Sequence, residues 1–260
     1  MALLTCDFFS ESLEFGTSMT VVLPQATVGQ VGVDPGADED APPPLLYLLH
    51  GRSDDHTAWL RYTSIERYAS AAGVAVVMPA VARSFYADEA TGHRYWTYLS
   101  EELPTVVQRF LRVSDRREDT FVAGLSMGGY GALKWAFHQP ERFAAAASMS
   151  GAVDVVGFTQ DPTRREELVT RVFGGEPGPD DDLYALLDKA DRHALPDLYV
   201  SCGTEDFLHP YNVRFVEALR AKGLDPVVDF RPGEHEWGFW DVDIRNVLAW
   251  LPRRGGPDRP

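Results

Sequence analysis

Leu45-Leu46-Tyr47-Leu48-Leu49 is an unbroken apolar run that stops at His50-Gly51. A strand with one face in water alternates apolar and polar residues, so a run that is apolar at every position must be covered on both faces. Further strand-like segments lie at Val74–Met78, Thr120–Leu125, Phe143–Ser150, Leu198–Cys202 and Val227–Arg231, after a β-like start over Leu3–Phe9 and Thr17–Leu23. Between them lie segments of helical character: 57–72, 99–113, Gly128–His138, Pro210–Lys222 and Trp237–Trp250. Their ends carry breakers, Pro140, Gly223 and Pro252. Strands alternating with helices predict βαβ units, hence an α/β fold with a mostly parallel central sheet and helices on both faces. Ligands of such sheets bind beyond the C-terminal ends of the strands.

The chain has 260 residues, within reach of a single α/β domain over 1–260. Residues 25–44, rich in Gly, Pro and acid, read as an acidic surface loop, and the polar, irregular stretch 152–194 as a small cap-like insertion. A net charge of −15 argues against a nucleic-acid partner, which needs clustered Lys and Arg. The two cysteines, Cys6 and Cys202, have neither disulfide-framework nor zinc-ligand spacing. No segment approaches the roughly 18 apolar residues of a membrane span. The N-terminus lacks the basic and apolar regions of a signal peptide, so the expected location is cytoplasmic. The tail RRGGPDRP is expected to fray.

Gly124-Leu125-Ser126-Met127-Gly128 sits directly after one predicted strand and directly before a helix. That is the context of a nucleophile elbow, where a serine on a tight, strained turn projects its hydroxyl into a cleft. The flanking glycines let strand and helix approach closely, and the helix N-terminus offers N–H groups and positive dipole beside the reacting centre.

A serine needs a base, and the base an orienting acid. Of the downstream histidines, His138 ends a helix and His193 precedes a strand, both at the wrong end of the sheet. His209 opens a helix and is a lesser contender. His235, in Pro232-Gly233-Glu234-His235-Glu236-Trp237, follows a predicted strand and is the preferred base. Asp206 and Glu205 both follow the preceding strand, Asp206 being preferred. For an oxyanion hole, the backbone N–H groups of Met127, after the nucleophile, and of Arg52, in the loop after Leu45–Leu49, stand in the required places. Trp237, Phe85 and Tyr86 are the best candidates to line a substrate pocket. The Ser53-Asp54-Asp55-His56 run reads as a polar loop before a helix, not as a metal site; neither metal nor cofactor is expected.

The stretches LLYLLHGRSDDHTAW, IERYA, VVMPAVARSFY, YLSEELP, TFVAGLSMGGYGALKWA, CGTEDFLHPYN, GEHEWGFWD and AWLP, spanning about 45–252, resemble the esterase D-like branch of the α/β-hydrolases, most of all bacterial tributyrin esterases. The resemblance implies the α/β-hydrolase fold and a serine carboxylesterase of short-chain acyl esters. It implies Ser126, Asp206 and His235 as triad and the Arg52 and Met127 N–H groups as oxyanion donors, with a small-molecule ester as partner. The same branch includes S-formylglutathione hydrolases, feruloyl and acetylxylan esterases, and mycolyltransferases that pass the acyl group to a sugar or alcohol acceptor. Arg52 departs from the apolar residue common at its position, which leaves the backbone role intact. The acidic insert at 25–44 is longer than is usual in the branch.

Overall fold

The computed structural model describes residues 1–27, 29, 31, 41–160 and 166–252. Most of the predicted acidic loop, part of the predicted cap and the tail therefore lie outside the described residues. Strands β1 (Ala2–Ser10), β2 (Phe15–Leu23), β3 (Leu45–Leu49), β4 (Ala75–Pro79), β5 (Thr120–Leu125), β6 (Ala145–Met149), β7 (Asp197–Gly203) and β8 (Val227–Arg231) form one sheet in the order β1-β2-β4-β3-β5-β6-β7-β8. β1 and β2 run antiparallel at one edge, and β4, β3, β5, β6, β7 and β8 run parallel.

Strand alternation splits the core into two layers. Leu45, Tyr47 and Leu49 point into one layer, with Trp135 and Phe215; Leu46 and Leu48 point into the other, with Trp59, Ile65, Ile244 and Trp240. All five residues of β3 are buried, because both faces are covered.

The predicted helix 57–72 is two helices, α1 (Ala58–Tyr62) and α2 (Ile65–Ala72). Thr63 turns extended between them, and its Oγ1 accepts the Ile65 N–H at 3.1 Å, capping the new helix. The Ser64 N–H donates to Asp241 at 2.9 Å, a partner far away in sequence. The predicted helix 99–113 starts earlier, at Tyr95, passes through a wide π turn over Tyr98–Glu102, and continues as α3 (Leu103–Phe110). Pro104 has no N–H to give the Ser100 carbonyl, which favours the wider turn before it.

Helix α4 (Met127–His138) follows β5 directly. Within 152–194 lie α5 (Val155–Thr159), π-helical turns over Glu166–Val172, and α6 (Leu183–Lys189). Helices α7 (His209–Ala221) and α8 (Trp237–Trp250) complete the chain. No described helix is long and apolar enough to cross a membrane.

Candidate active site

Ser126 occupies the turn between β5 and α4 with φ 54° and ψ −115°, a region disfavoured for a residue with a side chain. The turn is fixed by backbone contact on both sides. A Cβ on Gly124 would stand 2.3 Å from the Gly128 carbonyl oxygen, and one on Gly128 would stand 2.4 Å from the Leu49 carbonyl oxygen. The Ser126 N–H donates to the Met149 carbonyl at 2.9 Å, tying the elbow to the neighbouring strand.

His235, in the loop between β8 and α8, places Nε2 3.1 Å from Ser126 Oγ. Its Nδ1 lies 2.7 Å from Asp206 Oδ2. Asp206 follows β7 and is buried; its Oδ1 accepts the Leu208 N–H at 2.8 Å. Burial alone would raise its carboxyl, but the bond to His235, the charge there and the Leu208 N–H outweigh it and hold the group below the ordinary carboxylate range. Asp206 therefore stays ionised and accepts the Nδ1 proton, which leaves Nε2 free to accept from the serine hydroxyl.

Of the two adjacent carboxylates, Glu205 takes no part in this chain. It is exposed, and its side chain accepts the Gly233 N–H at 2.6 Å. The other downstream histidines lie elsewhere. His138 Nε2 meets the Asp180 carbonyl at 2.8 Å, exposed His193 takes the Arg192 Nε–H, and His209 packs edge-on to Phe230.

A cavity of about 640 Å³ opens over Ser126 and His235. Arg52 and Met127 both line it. Met127 opens α4, where helix geometry leaves its N–H without an intrahelical acceptor. The Arg52 loop is anchored by His50, which is fully buried. His50 Nε2 accepts the Val81 N–H at 3.1 Å, so its Nδ1–H donates to the Gly51 carbonyl at 2.7 Å. Burial, the dominant influence, pushes the His50 imidazole down to about 4 and keeps the anchor neutral.

Phe85 and Trp237 line the cavity; Tyr86 does not. Tyr86 is fully buried, and its hydroxyl donates to the His50 carbonyl at 2.8 Å. Consecutive left-handed residues, Phe85 at φ 50° and Tyr86 at φ 52°, send two buried rings apart, Phe85 to the cavity wall and Tyr86 under the His50 carbonyl. The expectation that Tyr86 contacts substrate is thus corrected: it braces the loop that carries Arg52.

Sequence reasoning missed Asp54, Phe158 and Leu168 in the cavity wall, and placed Phe207 near the active-end loops without preferring it as a pocket residue. Phe207, exposed beside Asp206, packs 4.7 Å from the His235 ring, and its position next to the acid was the available signal. Phe158 and Leu168 come from the irregular 152–194 segment, where periodicity gave no face to read. The Asp54 carboxyl is pushed up chiefly by its burial. Among the described residues no cluster of His, Cys, Asp and Glu converges as a metal site requires.

The Esterase family model, described as “Putative esterase”, matches residues 21–251. The chain is 30% identical to an acetyl esterase of Caldicellulosiruptor saccharolyticus, covering 97% of this chain and 99% of that protein. Among solved structures it matches a substrate-bound, fluorophosphonate-binding serine hydrolase of Staphylococcus aureus with a TM-score of 0.85 and 33% identity, covering 96% of this chain and 98% of the other. An S-formylglutathione hydrolase of the same organism, as apoenzyme, matches with a TM-score of 0.80 and 33% identity, at 96% and 98% coverage. The chain belongs to the Esterase family, has the α/β-hydrolase fold and is a carboxylic ester hydrolase.

Proposed function

We propose that this chain hydrolyses short-chain acyl esters through an acyl-enzyme on Ser126. The observation that carries the reading is the unbroken hydrogen-bond chain Ser126–His235–Asp206, whose first two members line the cavity. Ser126 Oγ attacks the ester carbonyl carbon while neutral His235 takes the hydroxyl proton on Nε2. Asp206 holds the ring in the tautomer that permits this and stabilises the imidazolium that results. The oxygen of the tetrahedral intermediate, now negative, is met by the Arg52 and Met127 N–H groups. Collapse expels the alcohol, protonated by His235. Water then attacks the acyl-enzyme by the same steps, releasing the acid and restoring Ser126.

The acyl preference rests on the cavity wall. Met127, Ala152, Phe158 and Leu168 present apolar surface, and Phe158 and Leu168 from the 152–194 segment act as a small cap. A space of about 640 Å³ is shared between the acyl and alcohol groups.

Ser126→Ala is expected to lower kcat for p-nitrophenyl acetate by at least about 10⁴-fold and to abolish labelling by a fluorophosphonate. A folded S126A variant with parental turnover would refute the triad reading. A parental ester panel from acetyl to octanoyl that peaked at octanoyl would refute the short-chain preference alone.

A further inference from the structure

Asn212, in the first turn of α7, is fully buried. Its Nδ2 meets two carbonyl oxygens, that of Gly151 at 2.9 Å and that of Leu208 at 3.0 Å. A carbonyl only accepts and the amide nitrogen carries two protons, so the side chain has a single orientation and gives one proton to each. Leu208 belongs to the loop of the acid: its N–H donates to Asp206 Oδ1 at 2.8 Å, and the His209 N–H returns to the Asp206 carbonyl at 2.9 Å. Gly151 belongs to the loop after β6, which packs against the elbow. There the Ala152 N–H donates to the Ser126 carbonyl at 2.9 Å, and a Cβ on Gly129 of α4 would stand 2.9 Å from Gly151 Cα. Pairing of β6 with β7 continues as far as the Ser150 N–H on the Ser201 carbonyl, at 2.7 Å. Past that point the Asn212 amide carries the link between the two loops.

We infer that Asn212 is a positioning residue for ester hydrolysis: its amide nitrogen clamps the Asp206 loop to the loop that holds the Ser126 peptide, and so sets the span that His235 bridges. The inference rests on the triad reading above. His235 must meet Asp206 with Nδ1 at 2.7 Å and Ser126 with Nε2 at 3.1 Å at the same time. The imidazole is rigid, so it does both only while its two partners keep their separation. Asn212 does not line the cavity, so its effect falls on the geometry of the triad and not on the binding of the ester.

Asn212→Leu keeps a similar volume and removes both donors. Well below its melting temperature, its kcat for p-nitrophenyl acetate is expected to fall roughly tenfold, with KM within about twofold. Asn212→Asp keeps the shape; buried against two carbonyl oxygens, its carboxyl stays protonated near pH 6 and donates to one of them. At that pH N212D is expected to turn over about threefold faster than N212L and still below the parent. A role in stability alone lowers the melting temperatures and leaves kcat parental in this range, which overturns the inference. A loss expressed in KM alone overturns it too, as does an N212D no faster than N212L. If N212L fails to fold, N212D decides: a reduced kcat with KM unchanged supports the clamp, and a parental kcat overturns it. Parental turnover in N212L beside an inactive S126A sinks this inference alone; an active S126A sinks the triad reading with it.

Discussion

Gly203 and Gly233 meet backbone to backbone: a Cβ on Gly203 would stand 2.1 Å from the Gly233 carbonyl oxygen. Around this contact the Thr204 N–H donates to the Arg231 carbonyl at 3.0 Å and the Glu205 N–H to the Gly233 carbonyl at 3.1 Å. The loop bearing Asp206 and the loop bearing His235 are thereby one unit. Gly203→Ala must push them apart. It is expected to cut kcat/KM by about a hundredfold, since displacements of this order at a catalytic pair cost that much. Steady-state kinetics with a melting curve would check it, and parental kcat/KM in G203A would show that the loops are independent.

Neighbouring carboxylates should behave differently. Asp206→Asn leaves His235 without an ionised partner and should lower kcat by roughly 10³- to 10⁴-fold. Glu205→Ala removes the exposed clip to Gly233 and the acceptor of the Thr204 hydroxyl, and should cost less than about tenfold. Equal losses in the two variants would contradict the assignment of the acid.

His50 makes a pH prediction. The unfolded chain protonates this group near its ordinary value of 6.5, the folded chain only at about 4. Between those values the unfolded state binds more protons, so stability falls as pH falls through the window. Asp243, pushed up to about 6 by burial, acts in the opposite sense: the folded state binds its proton first, and stability rises as pH falls from about 6 towards 4. A difference between variants separates the two. Between pH 7 and pH 4.5, His50→Asn should lose about 2 kcal/mol less than the parent, whatever its cost at pH 7. Urea unfolding at both pH values measures this, and equal losses would show that His50 is not held neutral.

Tyr86→Phe should leave the ring packed and remove only the hydroxyl that braces the His50 carbonyl. The expected cost is about 1 kcal/mol in stability and, on the oxyanion role proposed for the loop it supports, a several-fold loss in kcat with KM little changed. A rise in KM alone would instead return Tyr86 to the substrate pocket.

Phe158→Ala should enlarge the apolar end of the cavity. Relative kcat/KM for octanoyl over acetyl p-nitrophenyl esters is expected to rise by about tenfold. An unchanged ratio would place the acyl chain elsewhere.

Much of the scaffold was legible because its signals are local. A fully apolar run marked β3 to the residue, the bounds of β5 matched as well, and Gly-x-Ser-x-Gly between strand and helix marked the elbow. The two-part helix at 58–72 was not legible, because its break is held by Asp241 on α8. Glu205 and Asp206 both qualified by position; the side-chain directions that divide them depend on contacts with the loop after β8. Tyr86 looked like a pocket residue because composition cannot say which of two adjacent rings a left-handed turn sends to the cavity wall.

The sequence by itself determined the order of strands and helices, and with it that Ser126, Asp206 and His235 all follow strands of one sheet. Only the tertiary structure decided their registry. His235 reaches Ser126 across 109 residues because β8 and β5 are locked into a common sheet and the loop after β8 meets the end of β7 glycine against glycine. Close approach of that kind is a property of packed backbones, and no local pattern of side chains encodes it.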